Sequence, residues 1–345
     1  MTDPDGGDRL IRLFAAMDDR GLDALVLGRQ DNTTWATGMH RLWTAGTRPF
    51  GAGCILVAET RAVHLLSSWD DAIPDNVPFE HLYGVTWNPV VMAEAMAAIP
   101  GLFAAERLGV DALSPGFRRA ASGFAPKADL MAVDDLLADL RRRKDAEAID
   151  AIDAACAKAR VGVEAVIEAL GAGDPATASA GSDEQVGPGT DDGRPASARG
   201  LRAVALRALA AAGATVPSSG AAVEVGPATV TVDVGVLVED WEGGLGRTLS
   251  WDGEPRGGRT QERVHALIAA CTSGATGTDL IAAGGDEDWL VRGVGMGFER
   301  PVVAPGIGAG VELMAGDVLS VGVSGDDRHH REIVLVTDGA AEVLT

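Results

Sequence analysis

Basic charge is scarce in this chain. Fifty Asp and Glu residues stand against 29 Lys and Arg, a formal net charge of −21. A surface this acidic is unsuited to phosphate backbones, and without a polybasic patch it cannot hold anionic lipid. The expectation is no nucleic-acid partner and no membrane. Lysine is nearly absent, 3 residues against 26 arginines, which reads as genome composition and not as function. The single run of positive charge is Arg141-Arg142-Arg143-Lys144. Cysteine is equally sparse. Cys54, Cys156 and Cys271 are odd in number and far apart, which excludes a disulfide framework and a CxxC metal knuckle. No apolar run approaches the roughly 18 residues of a membrane span. The start, Met1-Thr2-Asp3-Pro4-Asp5, has neither the basic nor the apolar region of a secretory signal. These absences together point to a reducing, cytoplasmic location.

What is present suits a globular protein of two domains. The chain has 345 residues, 46% of them hydrophobic and 23% charged. In the first part, apolar positions Leu10, Ile11, Leu13, Phe14 and Met17 follow the helical period behind Asp8, and Gly21 stops the helix. Ala24 to Leu27 reads as a strand. Cys54–Ala58 and Ala62–Leu66 flank a hairpin turn. A helix is expected over Pro89–Ala98, a strand over 107–111, a helix over 115–121 and a strand over 130–133. Strand and helix alternate, so residues 1–138 read as an α/β layer domain.

From Val133 to Leu170 the pattern is helical, as a bridge into a second domain, 139–345. Residues 171–200 hold Gly, Ala, Ser, Asp and Pro with almost no large apolar side chain, and read as a flexible insertion. Helix resumes over 201–212. Strands are expected at 229–232, 236–238, 318–321 and 333–336.

Three segments of the second part, taken in order, carry a resemblance. They are Val232-Asp233-Val234-Gly235 running to Gly246-Arg247-Thr248, then Gly293-Val294-Gly295-Met296-Gly297-Phe298-Glu299-Arg300-Pro301, then Leu313 to Val321 followed by Ile333 to Gly339. The first part adds Asp31-Asn32-Thr33-Thr34-Trp35-Ala36-Thr37-Gly38 and Leu140 to Ile149. The chain resembles the creatinase/aminopeptidase family of pita-bread proteins, which includes Xaa-Pro aminopeptidases and dipeptidases, methionine aminopeptidases and creatinase. The resemblance implies a creatinase-type N-terminal α/β domain followed by a pita-bread domain, with 31–38 as a strand and turn and 140–149 in the bridging helix.

The peptidases of that family hold two divalent metals (Mn, Co or Zn) with Asp, Asp, His, Glu and Glu, and the metals activate a bridging water. The resemblance places the first Asp at Asp233. The second position falls on Gly244, counted from Asp233 or from Arg247-Thr248. The His position is Val294, and a second, substrate-facing His is replaced by Phe298. The fourth position is Gly322. The fifth is Arg331, or Glu332 if the count slips by one. One carboxylate, or two, cannot hold a binuclear site, so no metal and no other cofactor is expected. Creatinase works without metal through a His before the first Asp, but 213–231 contains no His.

The remaining candidates for chemistry are Asp233, His329, His330 and Glu332. A His beside a carboxylate can act as a general base. His40-Arg41 lies where the resemblance implies the neighbouring subunit's cavity. His64 and His265 read as structural. Ser324-Gly325 lacks the setting of a nucleophile elbow. A ligand pocket is expected from Asp233, Asp240, Trp241, Glu242, Gly244, Arg247, Val294, Phe298, Glu299, Gly322 and Arg331. Within it Asp233 should meet Arg331 or Arg247, with Trp241, Phe298 and Glu299 near the rim.

The function expected is a pita-bread protein without binuclear peptidase activity, binding a small molecule or short peptide. The alternatives are an Xaa-Pro aminopeptidase whose ligands sit elsewhere, and a metal-independent amide or amidino hydrolase. A homodimer is expected, with Trp35, Met39, Trp43 and Phe50 in an interface or cavity wall.

Overall fold

The computed structural model of the protein describes residues 6–39, 53–67, 73–74, 77–84, 88–111, 113–172, 186–189, 195–217, 220–325 and 328–345. His40, Trp43 and Phe50 lie outside the described residues. The chain divides into two compact units, Met1–Arg141 and Arg142–Thr345. Among the described residues no helix is long and apolar enough to cross a membrane.

The first unit runs α1 (Gly6–Asp19), β1 (Ala24–Leu27), α2 (Gln30–Thr37), β2 (Cys54–Val57), β3 (Ala62–Ser67), β4 (Leu82–Gly84), α3 (Pro89–Ala97), β5 (Arg107–Val110), α4 (Pro115–Ala121), β6 (Asp129–Ala132) and α5 (Asp134–Arg142). Its six-stranded sheet has the order β4-β3-β2-β1-β5-β6. The hairpin β2–β3 is antiparallel, and β5 and β6 are parallel to β1 and to each other. Val26, Ile55, Leu108 and Val110 pack with Met96, Leu102 and Phe124 in its core.

The segment 31–38 departs from the strand and turn expected. It forms helix α2, closed by Gly38 in the left-handed region at φ 72°. The reason lies 80 residues away. Buried Asp111 accepts hydrogen bonds from Gly28 N (2.6 Å), Arg29 N (3.0 Å) and Asn32 Nδ2 (2.8 Å), and so fixes the two residues that lead into the helix and the Asn32 side chain of its first turn. Trp35, expected in an interface or cavity wall, is buried in this unit.

The second unit runs α6 (Ala146–Gly171), β7 (Val186–Gly189), β8 (Pro195–Ser197), α7 (Ala198–Ala211), β9 (Ala221–Val225), β10 (Thr229–Val238), β11 (Trp241–Ser250), α8 (Gly258–Ala270), α9 (Gly277–Gly284), β12 (Asp288–Gly295), β13 (Gly297–Val303), β14 (Val318–Gly325), β15 (Arg328–Leu335) and β16 (Glu342–Val343). The bridging helix is not continuous. The Asp145 side chain accepts from Ala148 N at 2.9 Å and starts α6 afresh, while Lys144 N is drawn to Gly316 O at 3.2 Å. Within the expected insertion, β7 and β8 pair as a two-stranded ribbon, and α7 begins at Ala198. The strands expected at 229–232 and 236–238 are one strand, because Gly235 keeps register with Gly244 across β11.

Strands β13-β12-β14-β15-β11-β10-β9 form an eight-stranded sheet with β16 added beside β15. β10 and β11 meet in a two-residue turn, with Glu239 (φ 50°) and Asp240 (φ 69°) both left-handed, as tight hairpins require.

Side chains alternate across a strand, so the contacts sort the sheet into two faces. Val230, Val232, Val234 and Leu245 pack on α6 and α7. Leu319, Val321, Val323 and Val334 pack with Val264, Leu267 and Leu280 from α8 and α9. All four helices therefore cover one face. The opposite face carries Asp233, Gly244, Gly246, Gly322, His329 and Arg331.

Candidate functional site

One register row crosses five strands of the bare face. Asp233 pairs with Gly246, Gly246 with Arg331, Arg331 with Gly322, and Gly322 with Leu290. This row floors a cavity of about 620 Å³, whose lining includes Asp233, Glu242, Arg292, Phe298, His329 and Arg331. The size is that of a small-molecule site.

Arg331 dominates the floor. Its Nε donates to Asp233 Oδ1 at 2.8 Å, and its Nη2 donates to the same oxygen at 2.5 Å and to Val234 O at 2.8 Å. The guanidinium lies on Gly244, where a Cβ would come within 2.2 Å of Nη1 and 2.8 Å of Cζ. The glycine at 244 and the arginine at 331 are thus two parts of one arrangement. The room comes from glycines, since Gly246 would likewise press on His329 Nε2 at 2.6 Å.

His329 stands beside Arg331 on the same face. Its Nδ1 lies 2.9 Å from Ser324 Oγ, and its Nε2 lies 3.4 Å from Asp233 Oδ2. Its backbone N donates to Thr248 Oγ1 at 2.7 Å, and that hydroxyl donates to His329 O at 3.0 Å. Burial alone would raise the Asp233 pKa. The His329 contact and the Arg331 charge outweigh it and bring the carboxyl down to about 2.

A second pair walls the cavity. Arg292 engages both oxygens of Glu242, with Nη1 to Oε2 at 3.0 Å. Its guanidinium lies 5.0 Å from the centre of the Phe298 ring, and Phe298 is 65% exposed at the rim. The two carboxylates and two guanidiniums of the floor and wall are paired internally, which leaves the cavity without a strong net charge from them.

The other candidates fall elsewhere. His330 and Glu332 point to the helix-covered face, one residue out of phase with His329 and Arg331. There His330 Nε2 lies 2.9 Å from Glu332 Oε1, and Arg247 Nη2 lies 2.6 Å from the same oxygen. Burial works to raise the Glu332 pKa, but the His330 hydrogen bond and the Arg247 charge bring it below the usual range. Arg247 therefore neutralises Glu332 and does not meet Asp233. Arg331, not Glu332, faces Asp233.

Trp241 and Val294 are buried, and neither they nor Asp240, in the β10–β11 turn, line the cavity. Glu299 turns inward to Lys144 Nζ at 2.8 Å, away from the rim expected of it. Three of the four residues of the basic run are likewise absorbed internally, while Arg143 is exposed. Arg142 holds buried Asp317 through Nε (2.8 Å) and Nη2 (2.6 Å), and Arg141 reaches Asn32 Oδ1 at 2.8 Å.

Arg292 and Ser324 are among the cavity residues not taken as site candidates from the sequence. Arg292 directly precedes the Gly293-Val294-Gly295 segment, and Ser324 follows Ser320 and Gly322 at the strand period. That period is the signal that marks them.

The five positions where the resemblance implies metal ligands hold one carboxylate, one guanidinium and no imidazole. Among the described residues no group of three or more His, Cys, Asp or Glu side chains converges as a metal site would require. A guanidinium bonded to the remaining carboxylate would repel a dication at that point. The donor set does not fit a binuclear centre.

Comparison with known proteins agrees with the architecture. Residues 9–143 match the family model of the Creatinase/Prolidase N-terminal domain. No curated protein sequence matches the chain. Among solved structures, the prolidase from Pyrococcus horikoshii OT3 superposes with a TM-score of 0.71 at 17% identity, covering 98% of each chain. The Xaa-Pro dipeptidase from Bacillus anthracis gives 0.72 at 15% identity, over 99% of this chain and 97% of that one. The X-Pro aminopeptidase from Thermotoga maritima MSB8 gives 0.70 at 15% identity, over 97% of each. Likeness at these identities establishes the fold, with the second unit as its pita-bread domain.

Proposed function

We propose, for a chain that opens with a creatinase/prolidase N-terminal domain and has the prolidase fold throughout, that it works without the binuclear metal centre and uses its sheet-floored cavity to hold a small, partly apolar molecule. The observation that carries this reading is the Arg331 guanidinium, bonded to Asp233 and seated on Gly244. It occupies with fixed positive charge the place where the resemblance puts ligand side chains. Leu237, Leu290 and Phe298 supply apolar walls, which favours a small organic ligand over an extended peptide. Three free, buried cysteines suit a reducing compartment, which supports a cytoplasmic location.

Elemental analysis of the purified protein tests the reading, together with an assay for Xaa-Pro dipeptide cleavage in the presence of Mn or Co. The expected result is sub-stoichiometric metal and no cleavage. Two metal ions per chain with Mn-dependent cleavage would overturn it in favour of an Xaa-Pro peptidase.

A further inference from the structure

The cavity face carries an array that ligand binding alone does not require. Ser324 on β14 and His329 on β15 are register partners, so their side chains project together. Ser324 Oγ is 2.9 Å from His329 Nδ1. At the far side of the ring, Nε2 is closed off from solvent and makes no hydrogen bond, with Asp233 Oδ2 at 3.4 Å. Arg331 holds the other carboxylate oxygen, Oδ1, which leaves Oδ2 to the ring.

The protonation pattern follows from these partners. An ionised carboxylate only accepts hydrogen bonds, so Asp233 Oδ2 beside Nε2 favours the tautomer that carries its proton on Nε2. A serine that donates to an imidazole oriented by a carboxylate is the arrangement that activates an alcohol for attack. Here the two ring nitrogens have exchanged the partners they have in serine proteases, but the roles are unchanged. At 3.4 Å, Nε2 and Oδ2 are close enough for their hydrogen bond to form as substrate tightens the site. All three residues stand on strands of one sheet, which fixes their spacing.

We propose that Ser324 is a nucleophile and His329 its base, in a metal-free hydrolysis of small esters with an apolar acyl group. Ser324 Oγ bonds to the acyl carbon, and its proton passes to His329 Nδ1. The bond from the acyl carbon to the alcohol oxygen breaks, and the alcohol leaves with that proton. Water, deprotonated by Nδ1, then attacks the acyl-serine. The carboxylic acid leaves, and the proton returns to Ser324. Asp233 is a positioning residue that holds the tautomer. The inference rests on the metal-independent reading of the cavity.

The test treats the full-length protein with a fluorophosphonate probe and maps the adduct by peptide mass spectrometry, alongside p-nitrophenyl butyrate hydrolysis with and without EDTA. The expected result is an adduct on Ser324 and hydrolysis that EDTA does not change. Ser324→Ala should remove both. His329→Gln should slow both by on the order of 100-fold or more, the share that general base catalysis contributes. Asp233→Asn should reduce both while shifting the pH profile, which a merely structural role would not do. Each variant is first checked for cooperative unfolding, and if Asp233→Asn does not fold, the Ser324 and His329 variants still decide. A folded, metal-free wild type that leaves Ser324 unlabelled, or a Ser324→Ala variant with undiminished hydrolysis, overturns this inference alone. Hydrolysis lost to EDTA, with metal bound, overturns the metal-independent reading beneath it.

Discussion

Arg331 donates to Asp233 across 98 residues of sequence, with Nε to Oδ1 at 2.8 Å, and the same guanidinium rests where a side chain on residue 244 would begin. The arginine side chain is 12% exposed and the aspartate 33%. Removing one partner is therefore costly, because it leaves the other largely desolvated without compensation.

Arg331→Met should destabilise the protein by about 2–4 kcal/mol, somewhat below a fully buried pair because Asp233 retains solvent contact. Adding Asp233→Asn should recover part of that loss, since the stranded charge is then gone. Urea unfolding with unchanged m-values measures both. A loss within about 0.5 kcal/mol of zero, as ordinary surface changes show, would mean that the pair does not hold the floor.

Gly244→Ala should cost about 1–3 kcal/mol, the usual range for overpacking. The added Cβ meets a guanidinium held by three hydrogen bonds, not a free chain end. In an Arg331→Met background the same substitution should cost clearly less. A double-mutant cycle reads the difference, and additivity within about 0.5 kcal/mol would break the link between the two positions.

Acid should expose Asp233. Its carboxyl lies at about 2 in the folded protein, below the ordinary 3.8. A group with a depressed folded pKa contributes stability that is complete above its unfolded pKa and is lost as pH falls through the folded one. The stability difference between wild type and Asp233→Asn should hold steady above pH of about 4 and shrink towards about 2. Comparing the two proteins cancels the titration of the other carboxylates. A difference that stays constant across this window would refute the depressed pKa.

Arg247→Ala acts on the opposite face. It leaves Glu332, nearly inaccessible and also bonded to His330, without its cation, and should destabilise by about 2–4 kcal/mol. The rate at which a fluorophosphonate labels Ser324 should not change, because Arg247 does not line the cavity. A large drop in labelling at full folding would show that the two faces are coupled.

Much of the fold was legible in advance because it rests on local signals. Asp8 to Met17 shows a helical period, the paired apolar runs around Glu59 a hairpin, and Pro115 a helix start. Each of these involves neighbours in sequence. The exceptions have distant causes. Segment 31–38 follows a lead-in, Gly28 and Arg29, that Asp111 holds in place, and the long helical pattern breaks at 143–145 because Gly316 draws the Lys144 backbone away. Neither partner is visible in a local window.

The sequence by itself determined that Gly244, Val294 and Gly322, where the resemblance implies metal ligands, offer no donor under any packing. It also determined which residues alternate to a common face within each strand. Only the tertiary structure decided that Arg331 and not Glu332 faces Asp233, that Arg247 belongs to Glu332, and that Ser324 meets His329. Adjacent residues of a strand point to opposite faces, so a one-residue ambiguity exchanges one environment for the other. The register that resolves it is set by pairing between β10, β11, β14 and β15, strands separated by up to about a hundred residues, whose alignment is decided by which apolar side chains the helices bury.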